Sequence, residues 1–175
     1  MDCRAGVTGA AAVFIVPARE QRKLSGAKAP DFTTRGAIAG KIFTLKLSDY
    51  LKKGPVVLYF FPAAFTPGCT AEAHEFAEAT DDFKAAGATV IGMSADPVDM
   101  LARFSKEECR DKFAVASAGP AIVKGYDVAL PLPGGRTNRT SYVISKAGRI
   151  VYAHSAMRYQ DHKKTRWRSC EMKGN

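Results

Sequence analysis

The sequence has only four cysteines, Cys3, Cys69, Cys109 and Cys170, and no two of them stand in a C-x-x-C spacing. Zinc ribbons and thioredoxin-type dithiol pairs need that spacing and are therefore excluded. Four scattered cysteines are also too few to staple a small scaffold with disulfides. The three histidines lie in no metal-ligand spacing with them, so the sequence argues against a metal site.

Long hydrophobic runs are missing as well, since no stretch approaches the roughly 20 apolar residues that a membrane-spanning helix needs. The chain has 175 residues, of which 46% are hydrophobic and 25% are charged. This length and composition are typical of one globular domain with a substantial core.

The formal net charge of +9 would suit a nucleic-acid or acidic-membrane partner, but the excess lies at the two ends of the chain. Residues 1–29 carry five Lys or Arg against two Asp or Glu, and residues 157–175 carry six against two. The remaining residues are close to neutral. We therefore expect solvated basic tails, and neither a nucleic-acid nor a membrane partner, with nucleic-acid binding by the tails as the less favoured alternative.

The chain divides into three segments. Residues 1–28 form a leader with a short apolar run at 9–16, which is expected to be disordered or, alternatively, to be an export signal. Residues 29–156 carry the ordered domain, and residues 157–175 form a basic C-terminal tail. The expected location is the cytoplasm, or the periplasm if the leader is a cleaved signal.

Strand and helix patterns alternate through the ordered domain. The predicted strands are a hairpin within 36–47, two buried strands at 56–61 and 88–93, a short strand at 113–116 and a final hairpin of 140–144 and 149–154. Four helices are predicted: one from a Ser48 cap to residue 53, one from Thr66 to Gly87, one that starts at an Asp96-Pro97 cap, and one over 120–125. The apolar stripe of the third helix is expected to consist of Met100, Leu101 and Phe104. This order predicts an α/β fold with a mixed sheet.

The most informative stretch runs from residue 56 to residue 72. Six apolar or aromatic residues form a buried strand that breaks at Pro62, and Thr66-Pro67 then offer the chemistry of a helix start. Cys69 falls in the first helical turn, beside unpaired backbone N–H groups and the positive end of the helix dipole. A cysteine there is expected to be partly thiolate and nucleophilic, whereas most free cysteines are small buried hydrophobes.

Pro62, Thr66 and Cys69 stand in the spacing Pro-x-x-x-Thr-x-x-Cys, and in this the sequence resembles the peroxiredoxins, thiol peroxidases with a thioredoxin-like fold. Glu72 matches an acidic residue that often follows in that family. Arg139, at the head of a late strand, looks like the family's active-site arginine. The run 65–73 is most similar to the bacterioferritin-comigratory, or Q-type, group, and the similarity extends from about residue 29 to residue 156.

The resemblance implies a thioredoxin-like α/β fold, with a mixed central sheet flanked by helices, and reduction of hydrogen peroxide and organic hydroperoxides. A thiolate attacks one peroxide oxygen while negative charge builds on the other, so the site needs fixed donors. Thr66, Arg139 and the helix-start N–H groups are expected to supply them. Pro62 is expected to shield the thiolate from water, and Glu72 to orient Arg139 through a charge-assisted pair.

The same resemblance implies that no metal, haem or flavin takes part, and that electrons come from thioredoxin or a similar dithiol. A monomer is expected, with a dimer as the alternative. Without the resemblance, Arg139 would be interpreted as a solvated charge at a loop end and Thr66 as a helix cap alone.

The sulfenic acid formed on Cys69 must be reduced again. Many Q-type members carry a resolving cysteine five residues after the reactive one, and here that position is His74. Cys109 is the alternative, because some members resolve from the corresponding helix, and a bridge to it would require local unwinding. Reduction by an external thiol, in a one-cysteine mechanism, stays open. Cys3 and Cys170 lie in the tails without a supporting motif.

A second class of function is a non-enzymatic one, in which a redox-sensing or holdase-like binding protein uses Cys69 as a switch. A sensor has no need of donors aimed at peroxide oxygens. The presence of Pro62, Thr66 and Arg139 therefore favours the enzyme.

Overall fold

The computed structural model describes residues 24–158 of the chain. The strands are β1 Thr33–Ile38, β2 Lys41–Lys46, β3 Val56–Phe60, β4 Thr89–Ser94, β5 Ala114–Ser117, β6 Thr140–Ile144 and β7 Ile150–Ser155. The helices are α1 Leu47–Leu51, α2 Pro67–Ala85, α3 Val98–Glu107 and α4 Pro120–Gly125. The predicted leader, up to residue 23, and the predicted tail, from residue 159, lie outside the described residues.

The strands form one mixed sheet in the order β2-β1-β5-β4-β3-β6-β7. Strands β3, β4 and β5 are mutually parallel neighbours, while the remaining pairings are antiparallel. The predicted mixed sheet flanked by helices is thus confirmed.

Strand β3 lies inside the sheet, and all five of its residues are buried. Because successive side chains of a strand point to opposite faces, Val57 and Tyr59 join one core cluster while Leu58 and Phe60 join the other. The first cluster contains most of the buried apolar side chains of α2 and α3, including Cys69. A fully buried strand therefore leads directly to the candidate cysteine.

Two of the predicted helix starts are wrong. Helix α1 begins at Leu47, so Ser48 lies inside it, and the side chain of Asp31 accepts the N–H of Ser48 at 3.0 Å. Helix α3 begins after Pro97, and the carboxylate of Asp96 is turned away to accept the backbone N–H of Ala64 at 2.7 Å. In both places a contact distant in the sequence replaces the expected local cap.

The predicted apolar stripe of α3 needs one correction. Leu101 and Phe104 are fully buried, but Met100 is 40% exposed. The buried side of this helix is completed by Ala102 and Ser105 instead. Strands β4 and β5 each begin one residue later than predicted, and α4 and β6 have the predicted bounds.

Residues preceding the predicted domain start already contact the sheet. The N–H of Gly26 donates to the carbonyl of Ile150 at 2.7 Å, and Lys28 forms a bridge with Arg149. Within residues 24–158, no helix has the length and apolar character needed to cross a membrane.

Candidate active site

Cys69 is the third residue of α2 and is only 2% exposed. Thr66 occupies the N-cap position with an extended backbone, and Pro67 is the first helical residue. The first intrahelical hydrogen bond runs from the N–H of Thr70 to the carbonyl of Thr66 at 2.9 Å. The N–H groups of the first turn have no acceptor within the helix, so the thiol lies where negative charge is stabilised.

The side chain of Thr66 does not cap the helix. Its hydroxyl donates to the carbonyl of Ala63 at 2.9 Å, within the loop between β3 and α2. The interpretation of the Thr66 side chain as a helix cap is therefore wrong, although Thr66 occupies the N-cap position. The Thr66 hydroxyl thus makes a hydrogen bond within this loop, and its side chain is half-buried next to the helix start.

The sheet brings Arg139 to the same place. Strands β3 and β6 are antiparallel, and Phe60 at the end of β3 pairs with Thr140 at the start of β6. Arg139 directly precedes β6, so it lies beside the loop that follows β3 and leads to Cys69. This proximity comes from strand register, since 70 residues separate Cys69 and Arg139 in the chain.

The guanidinium of Arg139 uses three nitrogens for three different partners. Nη2 donates to Sγ of Cys69 at 3.3 Å, Nη1 donates to the carboxylate of Glu72, and Nε donates to the carbonyl of Met157 at 3.0 Å. Arg139 is 5% exposed and Glu72 is 1% exposed. The structure thus brings Arg139 and Glu72 together around the thiol of Cys69, and Thr66 lies at the N-cap of the same helix. Pro62 is half-buried where β3 ends.

Burial raises the pKa of Glu72 to about 8, although Arg139 acts to lower it. Burial lowers the pKa of Arg139, but Glu72 and Cys69 oppose this and the net shift of that pKa is upward. Arg139 therefore stays a cation in an almost fully buried site, where its attraction for a thiolate is stronger than at the surface.

Three residues that sequence reasoning missed support the site, and two of them hold the loop between β3 and α2. Asp96 accepts the N–H of Ala64, and the hydroxyl of Thr137 donates to the carbonyl of Phe61 at 2.7 Å. Thr137 stands two residues before Arg139, so its closeness to Arg139 in the sequence could have identified it as a residue of the site. The carbonyl of Met157, which orients Arg139, left no signal in the sequence.

Phe65, between Pro62 and Thr66, adopts a left-handed backbone with φ +63°, which costs a non-glycine residue free energy. Its ring packs edge-on against Phe104 with centroids 5.3 Å apart, and the guanidinium of Arg103 lies 5.4 Å from its centroid. Helix α3 therefore holds the strained residue that precedes Thr66.

Cys109 follows the end of α3 and is fully buried in the same core cluster as Cys69. Both thiols are free. Burial raises the pKa of Cys109 well above the usual range of a thiol. His74, where a Q-type resolving cysteine would stand, is partly exposed, and its Nε2 lies 2.7 Å from Oε2 of Glu108.

Fold and site together define a thioredoxin-like protein with a cysteine at a helix start beside a buried arginine and glutamate. Residues 25–153 match the model of the AhpC/TSA family. The chain is 35% identical over 130 residues to a chloroplastic peroxiredoxin Q of Oryza sativa subsp. japonica, an alignment that covers 74% of this chain and 58% of that protein. It is also 31% identical over 142 residues to peroxiredoxin Bcp of Bacillus subtilis, covering 78% and 88% of the two chains.

Solved structures agree with this. A crystal structure of peroxidoxin BcpB from Mycobacterium tuberculosis superposes with a TM-score of 0.68 at 30% identity, covering 79% of this chain and 92% of that one. The chain therefore belongs to the AhpC/TSA family and is a peroxiredoxin of the Q-type, or bacterioferritin-comigratory, group, which confirms the predicted family. It spans little more than half the length of the rice protein.

Proposed function

We propose that this chain is a thiol peroxidase that reduces hydrogen peroxide and organic hydroperoxides. The observation that carries the proposal is the hydrogen bond of 3.3 Å from Nη2 of Arg139 to Sγ of Cys69, at the start of α2. A cation and a helix start acting on one thiol stabilise its thiolate form. A redox switch needs a reactive thiol but no such set of fixed donors, so the non-enzymatic alternative is less well supported.

The Cys69 thiolate attacks the nearer peroxide oxygen, and the O–O bond breaks as the S–O bond forms. Cys69 becomes a sulfenic acid, and the departing oxygen leaves as water or an alcohol after taking a proton. Arg139 stabilises the charge that builds on the departing oxygen, and the hydroxyl of Thr66 donates to a peroxide oxygen by turning from Ala63.

Glu72 and Pro62 act on the other members of the site. Glu72 fixes the guanidinium of Arg139, since it binds Nη1 and leaves Nη2 directed at the thiol. Pro62, two residues after β3, shields Cys69 from bulk water. The role of Glu72 follows from its contact with Arg139 and that of Pro62 from its place in the chain, and both are part of the proposal.

We further propose that a thioredoxin-type dithiol supplies the electrons, with Cys109 as the resolving cysteine. The alternative is direct attack of an external thiol on the Cys69 sulfenic acid. The burial of Cys109 in the same cluster as Cys69 supports the first route, provided that the end of α3 can unwind. A monomer located in the cytoplasm, or exported if the leader is a signal, completes the proposal.

Stopped-flow measurement of peroxide consumption with a thioredoxin system tests this. Wild type should turn over peroxide, Cys69→Ser should not, and Cys3→Ser should match wild type as the control. Activity that survives in Cys69→Ser would exclude the proposed nucleophile. In the Cys109→Ala protein, loss of turnover with an intact first peroxide reaction would support Cys109 as the resolving residue.

A further inference from the structure

Two ion pairs and one histidine–carboxylate contact connect α2 to the five residues 108–112, which we call the Cys109 loop. His74 Nε2 lies 2.7 Å from Glu108 Oε2. Arg110 Nη1 lies 3.6 Å from Glu78 Oε1, and Lys112 Nζ lies 3.8 Å from Asp81 Oδ2. Every second residue of the loop is therefore paired to the same helix, and that helix carries the candidate nucleophile in its first turn.

The three partners on α2 are His74, Glu78 and Asp81. Because they are separated by four and then three residues, they form one stripe along the helix surface. In the Cys109 loop the paired residues alternate with Cys109, whose side chain is fully buried, and with exposed Asp111. The outer side of the loop is held by charge, and its inner side places one thiol in the core.

The backbone of the loop has features that make it prone to open. Arg110 and Asp111 both adopt the left-handed conformation, with φ of 50° and 58°, which is strained for residues other than glycine. The loop stands between the end of α3 and β5 and belongs to neither. Its three contacts with α2 are partly exposed, so each is weak, and the two ion pairs among them are sensitive to salt.

We infer that these three side-chain contacts hold the Cys109 loop against α2 and thereby set how readily Cys109 leaves the core to react with oxidised Cys69. The inference rests on the proposed function, with Cys109 as the resolving cysteine. His74, Glu78 and Asp81 are positioning residues in this scheme, because they act through the loop and touch neither thiol.

The step that they control is disulfide formation. Sγ of Cys109 attacks Sγ of the Cys69 sulfenic acid, the S–S bond forms and the S–O bond breaks. Hydroxide leaves and takes the proton of Cys109 to become water, so Cys109 is oxidised while the sulfenic sulfur is reduced. A buried thiol cannot make this attack, so the opening of the loop limits the rate.

The opening itself can be measured without peroxide, in the Cys69→Ser protein. Alkylation of Cys109 by excess iodoacetamide, followed by peptide mass spectrometry, reports its exposure apart from the other cysteines. Arg110→Glu places two carboxylates together and should speed the labelling by about threefold. The double variant Arg110→Glu with Glu78→Arg restores the pair in reverse and should return the rate to that of the parent.

A matched control is Lys52→Glu, which breaks the exposed pair with Asp49 on α1, where the two atoms are 3.0 Å apart. It should leave the labelling rate unchanged. Raising the ionic strength about tenfold should speed the labelling of the parent by about threefold. The same salt should have little effect on the labelling rate of Arg110→Glu. Equal labelling rates in the parent, Arg110→Glu and the double variant would overturn the inference.

The second measurement uses the protein with Cys69 intact and one equivalent of hydrogen peroxide. Arg110→Glu should consume peroxide at the wild-type rate but form the Cys69–Cys109 disulfide about threefold faster, and the double variant should again match wild type. Peroxide consumption without any such disulfide would overturn the inference and leave the peroxidase proposal in place. Failure to consume peroxide would instead exclude the proposed function, while the labelling of Cys109 would still test the ion pairs.

Discussion

The guanidinium of Arg139 contacts Sγ of Cys69 at 3.3 Å and binds the carboxylate of Glu72 through its other terminal nitrogen. One planar cation therefore serves a thiol and a carboxyl group at once, in a site that is almost fully buried. The fork shape of arginine is what makes the double contact geometrically feasible.

Replacing Arg139 by lysine should lower the second-order rate of the first peroxide reaction by about 10- to 100-fold. Lysine keeps the charge but has a single point of contact, so it cannot reach Cys69 and Glu72 together. Arg149→Lys, at an exposed arginine that binds the carbonyl of Gly26, is the control and should leave the rate unchanged. A wild-type rate in Arg139→Lys would mean that charge alone is sufficient.

Glu72 should make the stability of the protein depend on pH. Burial raises the pKa of its carboxyl from 4.5 to about 8 in the folded protein. The stabilisation from such a group is complete at pH values below its pKa in the unfolded chain. It is lost as pH rises through its pKa in the folded protein, because between these two pKa values only the unfolded chain releases the proton. Urea unfolding from about pH 5 to about pH 8 should show wild type losing stability relative to Glu72→Gln.

The control for that measurement is Glu107→Gln, which removes an exposed carboxyl on α3. Its stability should follow wild type across the same range. A wild type that gains stability over Glu72→Gln as pH rises would show that Arg139, and not burial, determines the charge of Glu72.

The helix start at Cys69 was predictable because its signals are local. Thr66, Pro67 and the closing Gly87 lie where backbone chemistry places them, and the helix has close to the expected bounds. The same local logic failed at Ser48 and Asp96, whose cap chemistry was overridden by contacts with Asp31 and with Ala64, respectively.

The rest of the site depends on pairings between distant strands and helices. Arg139 reaches Cys69 only because β6 pairs with β3 in one register, and composition or spacing near residue 139 contains no trace of that pairing. Its expected role came from the resemblance to the peroxiredoxins. The ion pairs of the Cys109 loop lie in the same category, since each joins two segments about 30 residues apart.

Cys109 should tolerate alanine better than serine. Its side chain is fully buried in an apolar cluster. A serine hydroxyl there would lose its hydrogen bonds to water without gaining a hydrogen-bond partner in the protein, at a cost of about 1–3 kcal/mol. Alanine leaves only a small cavity. Urea unfolding of the reduced proteins should therefore rank wild type, Cys109→Ala and Cys109→Ser in order of falling stability, and a serine variant as stable as the alanine variant would point to a hydrogen-bond partner for Ser.

Tyr59 offers the last prediction, because its buried hydroxyl has no hydrogen-bond partner among the described residues. The ring stacks on Phe76 with centroids 4.1 Å apart and lies close over Gly92, where an added Cβ would come within 3.0 Å of it. Tyr59→Phe keeps this packing and removes an unpaired polar group. It should raise the free energy of unfolding by about 1 kcal/mol.

Tyr142→Phe is the matched comparison, since the hydroxyl of Tyr142 is equally buried but donates to the carbonyl of Tyr126 at 2.7 Å. Removing that hydroxyl leaves a buried carbonyl without its donor and should lower the free energy of unfolding by about 1 kcal/mol. Opposite signs for the two substitutions in urea unfolding would establish that hydrogen bonding, and not ring packing, separates them. A loss of stability in Tyr59→Phe would instead mean that its hydroxyl is satisfied, most simply by a buried water.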